Sequence, residues 1–177
     1  RNLVREINQK EINTKSKSKT RLSFIPKEAA NTFKDHIKIL VAIAKSGGAS
    51  VIISSFATLH DPNFDWDSPN DTINKLSEFQ KMDLGGLYHF IPGLTIPAIF
   101  DAFSHYNKIL HEVALNEKTG WVDNANMIPH EDQYFVDRVH FSTLGAELMA
   151  KNIAGCAEEI ILDTITKTIE HDAQADS

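Results

Sequence analysis

Asp137 and His140 are the residues whose types and spacing most directly suggest chemistry in this chain. They stand three positions apart within Tyr134-Phe135-Val136-Asp137-Arg138-Val139-His140-Phe141-Ser142-Thr143-Leu144-Gly145, on a turn leading into a long amphipathic helix. A carboxylate so placed can orient an imidazole and stabilise its protonated form, which is two thirds of a hydrolytic triad. The missing third is a nucleophile. Ser68, in Asp67-Ser68-Pro69-Asn70-Asp71, is the local candidate, although that stretch reads more naturally as a turn with a helix cap. His60, just past a strand end, is the best further candidate for a substrate contact. His130-Glu131-Asp132 resembles a ligand cluster in composition but reads as a solvated loop. No pair among His60, His89, His105, His111 and His130 has metal-ligand spacing, so no metal or cofactor is expected.

The elements that must position these groups can be read from periodicity. Ala29, Ala30, Phe33, Ile37, Leu40, Val41 and Ala44 recur at spacings of three and four and predict a helix after Pro26, stopped by Gly47-Gly48. Residues 50–55 are short and β-branched, as in a strand of a parallel sheet buried on both faces. A turn-rich insertion at about 60–96 follows, with a helix expected from Asp71 to Leu84 that ends at Gly85-Gly86. It follows the C-terminal end of a strand, where open α/β sheets place ligand sites, and is expected to act as a lid or pocket wall or to pack onto the body. Its aromatic residues Phe64, Trp66, Tyr88 and Phe90 could line a pocket. A helix from Pro97 to Asn116, a strand at Gly120-Trp121-Val122-Asp123 and a long closing helix capped by Ser142 or Thr143 complete the order. Leu144, Leu148, Ile153, Ala157, Ile160, Ile161 and Ile165 mark the closing helix's expected buried face. Residues 1–24 read as a basic polar segment or linker, 25–169 as the α/β domain, and 170–177 as a frayed polar tail.

Composition sets the outer bounds. A chain of 177 residues with 42% hydrophobic and 24% charged residues can form one domain with a sizeable core. The net charge of -6 argues against general nucleic-acid binding, although residues 1–50 hold 11 Lys/Arg against 4 Asp/Glu. Cys156 is the sole cysteine, so neither an intrachain disulfide nor a cysteine metal cluster can form, and its helical setting suggests a small buried or half-buried residue rather than a reactive thiol. No apolar run approaches the roughly 18 residues needed to span a bilayer. There is no signal-peptide core near the start, but the chain begins with Arg1, and no compartment follows from that.

The stretch Asp137-Arg138-Val139-His140-Phe141-Ser142-Thr143-Leu144-Gly145, following a strand and opening the closing helix, resembles the last sequence block of the SGNH (GDSL-type) hydrolases. The helix at 26–46, the strand at 50–55, the helix with Tyr106-Asn107 and the strand ending in Val122-Asp123 fit the same order, so the resemblance covers roughly residues 26–160. It implies a flavodoxin-like three-layer α/β/α fold with a parallel sheet, and hydrolysis of a small-molecule, sugar or lipid ester by a Ser-His-Asp mechanism. His140 would serve as general base and then acid, and Asp137 would orient it.

The resemblance also implies a Gly-Asp-Ser nucleophile block and an oxyanion-hole Gly and Asn, and none of the three blocks occurs in this sequence. Two confident strands are likewise too few for an open sheet. The expectation is therefore the C-terminal half of a hydrolase whose serine lies upstream, with this chain alone inactive. A non-catalytic binding or scaffold domain with a degenerate hydrolase fold is the competing expectation. A flavodoxin-like nucleotide binder is disfavoured, because Gly47-Gly48 precedes a strand whereas a phosphate loop follows one.

Overall fold

The computed structural model describes residues 21–62, 73–91 and 93–175. Segment 1–20, Ser68 and the aromatic residues Phe64 and Trp66 lie outside the described residues. The chain is mixed α/β and mostly helical, with a two-stranded parallel sheet. In order, the elements are α1 (Lys27–Ser46), β1 (Ile52–Ser54), α2 (Glu78–Phe90), α3 (Ile96–Asn116), β2 (Gly120–Val122), α4 (Asn124–Met127), a 3-10 turn (Asp132–Tyr134) and α5 (Thr143–Ala175).

β1 and β2 pair in parallel with Ile52, Ile53 and Ser54 opposite Gly120, Trp121 and Val122. Gly120 N–H donates to Val51 O at 2.8 Å and Ser55 N–H to Val122 O at 2.9 Å. Backbone groups alternate along a strand, so those of Ile52 and Ser54 point to the edge away from β2. One side of the sheet is covered by α1 and α3, through Val41, Ile53, Ile109, Val113 and Ala114. At Gly120 a Cβ would meet Ile160 at 2.8 Å and Cys156 at 2.9 Å, so the missing side chain lets α5 lie against β2. Cys156 is half-buried there, as its setting suggests.

The insertion departs from its expected form. The expected start at Asp71 lies outside the described residues; residues 73–75 form a helical turn, and a separate helix begins at Glu78, where Ser77 and Gln80 make a reciprocal capping box. It then runs through Gly85-Gly86 to Phe90 instead of stopping there. Glycine lowers helix propensity but does not forbid helix where packing repays it. Here Leu84 and Leu87 are buried with Ile73, Ile96, Ile99 and Phe100, which fixes α2 onto α3. The insertion is thus packed onto the body of the domain. Leu22, from the described end of the N-terminal segment, pairs with Leu94 beside it.

Two apolar stripes are wider than the surfaces available to bury them. In α1, Ala30 and Val41 are buried while Leu40 is exposed, together with Ile39 and Ile43. In α5, Leu144, Ile161 and Ile165 are exposed although the periodicity assigns them to a buried face. That helix has 33 residues and is about 50 Å long, so it outruns a sheet of three-residue strands. It continues to Ala175 where the polar composition suggests a frayed tail.

The loop after β1 is held by side chains rather than by a strand. Asn107 on α3 accepts from Phe56 N–H at 2.8 Å and donates to Phe56 O at 3.0 Å. Ser55 Oγ donates to Asp123 at 2.9 Å and accepts from Ala125 N–H at 2.7 Å. His130 Nδ1 contacts Thr58 O at 2.6 Å, and Gln80 Nε2 donates to both Leu59 O and His130 O. His130 is therefore a strut of this loop, a role its His-Glu-Asp neighbourhood does not announce.

Candidate active site

The turn carrying Asp137 and His140 is closed at its base by an antiparallel bridge between Phe135 and Phe141. Their rings lie 5.2 Å apart, above a core patch of Ala57, Leu59, Ile128 and the buried Phe135. Val136 N–H donates to His140 O at 2.9 Å across the mouth of the loop. The next step into α5 is equally constrained. Ser142 Oγ donates to Gln133 O at 2.5 Å and caps the helix by accepting from Gly145 N–H at 3.2 Å. A Cβ on Gly145 would stand 2.0 Å from Tyr134 O, so only glycine lets the first turn of α5 approach the backbone that closely. The residue types that make the motif visible are thus partly packing requirements.

Inside the turn, Asp137 Oδ1 accepts from the backbone N–H groups of Val139 at 3.0 Å and His140 at 2.9 Å. His140 Nδ1 lies 2.8 Å from Asp137 Oδ2 and 3.0 Å from Oδ1. The Val139 N–H is the main cause that pulls the Asp137 pKa down to about 2; slight desolvation opposes it, and the His140 side chain and backbone add to it. Asp137 is therefore a carboxylate at neutral pH. Facing it, Nδ1 carries the imidazole proton in the neutral ring, which leaves Nε2 as the free base. His140 Nε2 has no hydrogen-bond partner among the described residues, and the side chain is 73% exposed. The structure brings the two expected residues together in the orientation a general base needs.

His60 is a correction. It lies 1% exposed, with Nε2 3.0 Å from Asp83 Oδ2, and it cannot reach a substrate at the surface. The loop after β1 turns inward at this point because Leu59 packs into the core patch under the turn. Asp83 also receives the Arg138 guanidinium side-on, with Nη2 donating to Oδ1 at 3.0 Å and Nε to Oδ1 at 3.1 Å and to Oδ2 at 3.3 Å. Burial pushes the Asp83 pKa up, but the hydrogen bonds and charges of His60 and Arg138 outweigh it and leave the carboxyl below its ordinary value. Spacing could not reveal Asp83, which is 23 residues from His60 and 55 from Arg138.

No serine stands near His140 Nε2 as a hydrogen-bonded nucleophile among the described residues; Ser142, two positions away, is committed to the helix cap. Nor is any group of three His, Cys, Asp or Glu side chains placed to hold a metal ion among the described residues. No helix among them is long and apolar enough to cross a membrane. A hollow of about 190 Å³ is lined by residues including Asn107, Lys108, His111, Trp121 and Asp123. Another of about 370 Å³ is lined by Ser50, Ile52, Ala157, Ile160, Ile161, Thr164 and Ile165. Neither includes Asp137 or His140. No family model, curated protein or solved structure matches the chain.

Proposed function

We propose that this chain carries the acid–base part of a Ser-His-Asp ester hydrolase of the SGNH type, with the nucleophilic serine supplied by a segment outside this sequence. The observation that carries the reading is the largely exposed imidazole of His140, fixed through Nδ1 by an ionised Asp137 while Nε2 has no hydrogen-bond partner among the described residues. In the reaction, Nε2 accepts the serine proton as the hydroxyl attacks the ester carbonyl. It then returns that proton to the leaving alcohol, and Asp137 stabilises the imidazolium between the two steps.

A larger, flavodoxin-like α/β/α domain is the architecture this reading requires. The outward backbone edge of β1 supports it, as do the exposed Leu40 and Ile43 of α1 and Ile161 and Ile165 of α5. Exposed apolar surface next to a strand edge that is unpaired among the described residues fits a body to which further layers are added.

The test uses the chain joined to its encoded upstream sequence and a short p-nitrophenyl ester. His140→Ala in the longer protein is expected to lower kcat by roughly 10³-fold or more. The 177-residue chain alone is expected to show no turnover. Unchanged activity in the His140→Ala protein sinks the reading. An inactive longer protein that also resists labelling by a fluorophosphonate would favour a binding domain instead.

A further inference from the structure

Arg138 sits between Asp137 and His140 in sequence, yet its surroundings are the reverse of theirs. The His140 side chain is 73% exposed, whereas that of Arg138 is 16% exposed and reaches inward to a carboxylate that is 7% exposed. The Asx-type bonds of Asp137 and the Val136–His140 bond fix the internal shape of the turn. They do not fix where the turn points relative to the rest of the domain.

Arg138 supplies that link twice. Its carbonyl accepts from Leu59 N–H at 3.0 Å, and its guanidinium grips Asp83 through Nε and Nη2. Asp83 is in turn held by His60. Facing an acceptor-only carboxylate, His60 Nε2 is the N–H that donates, and the buried Nδ1 has no partner among the described residues. That ring is oriented by Asp83 and by edge-on contact with Phe100 at 5.7 Å. Gly86, three residues after Asp83 on α2, completes the arrangement. A Cβ there would stand 3.0 Å from Arg138 Nη2, so the glycine leaves the space the guanidinium fills.

We infer that Arg138 is the positioning residue of the Asp137–His140 pair, with Asp83 and His60 as its buried anchor. The inference rests on the hydrolase reading only for the catalytic purpose of the pair. A forked guanidinium on a carboxylate sets direction as well as attraction, because two parallel bonds resist rotation where a single ammonium contact does not. Through this grip the turn is registered against α2 and against the loop after β1 together.

The inference is tested on the full chain by carbon- and nitrogen-detected NMR of Asp137 and His140. The depressed Asp137 value arises from the backbone of Val139 and from His140, and Arg138 is not among its causes. A change on replacing Arg138 therefore reads turn geometry rather than lost charge. In Arg138→Gln the Asp137 midpoint is expected to rise from about 2 toward the ordinary 3.8, with loss of the hydrogen-bonded His140 Nδ1–H signal. Arg138→Lys, which keeps the charge but not the fork, should fail to restore either signal. Should Arg138→Gln not fold, Gly86→Ala crowds the guanidinium while keeping every charge and should shift both signals in the same direction. A folded Arg138→Gln or Gly86→Ala chain with both signals unchanged overturns the inference. Fluorophosphonate labelling of the longer protein keeps the two ideas separate: altered NMR signals without labelling leave Arg138 as a positioning residue and remove the hydrolase reading.

Discussion

Among the described residues, two Asp–His pairs have nearly equal bond lengths in opposite surroundings. Asp137 and His140 meet at 2.8 Å with side chains 45% and 73% exposed; Asp83 and His60 meet at 3.0 Å with side chains 7% and 2% exposed. Bond geometry does not distinguish them. What differs is the access to the ring: the His140 side chain is largely exposed, whereas on His60 the second nitrogen is buried without a partner among the described residues. A base must exchange protons with something that can approach it, and of these two pairs the exposed one meets that condition. The buried pair, joined to Arg138, is suited to holding segments together.

That division predicts a graded set of outcomes. The largest stability effect belongs to Asp83→Ala, which takes the carboxylate away from the buried imidazole of His60 and removes the forked contact of the half-buried Arg138 guanidinium. It should cost about 3–5 kcal/mol, read as a shifted midpoint in urea unfolding. If Asp83→Ala leaves the midpoint in place, the buried cluster is not a structural anchor. Gly145→Ala comes next, because the new methyl group meets a backbone oxygen that has no flexible end to move. A loss of about 1–3 kcal/mol is expected, together with altered His140 amide shifts.

Asp137→Asn should cost less than about 1 kcal/mol at pH 7, since the pair is screened by solvent. The pH dependence has a definite sign. The folded pKa of Asp137, about 2, lies below the ordinary 3.8, so its contribution is fully present above about pH 4 and is lost as pH falls toward 2. Thermal unfolding of the wild-type chain and Asp137→Asn should converge across that window; a gap that persists at pH 2 would assign the effect to shape rather than charge. Smallest of all, His140→Ala should change stability by no more than about 0.5 kcal/mol, as for other exposed positions. A larger loss would erase the contrast between the two pairs.

The same contrast explains what could be read in the sequence. Asp137 and His140 are three residues apart, and a turn followed by a helix cap brings such residues together by local geometry alone. The long helices α1, α3 and α5 and both strands are legible for the same reason, since periodicity is a local property, whereas the stretch from Asn124 to Tyr134 reads as a loop and holds the short α4 and the 3-10 turn. Asp83 could not be found this way. Nothing around it marks a buried carboxylate, and its partners lie beyond the reach of any turn. The end of α2 was concealed by Gly85-Gly86, which read as a stop, and its start at Glu78 is set by the Ser77–Gln80 cap, which the apolar periodicity does not show. The exposure of Leu40 and Ile165 was also hidden, because periodicity shows which face is apolar but not how much surface exists to cover it.

The clamp of Asn107 on Phe56 has a consequence for how this chain can vary. The side-chain amide takes up both backbone groups of one residue, as a neighbouring strand would, and does so from the middle of α3. At the other end, Gly120 is registered to the sheet through Val51. The number of residues from Asn107 to Gly120 is thereby a specification in its own right. Deleting a single residue from the last turns of α3 would rotate the amide by about 100° away from Phe56. Substitutions at exposed positions of that stretch, such as Leu115, can be absorbed one at a time, whereas a change of length there would put the whole helix out of phase with the strands.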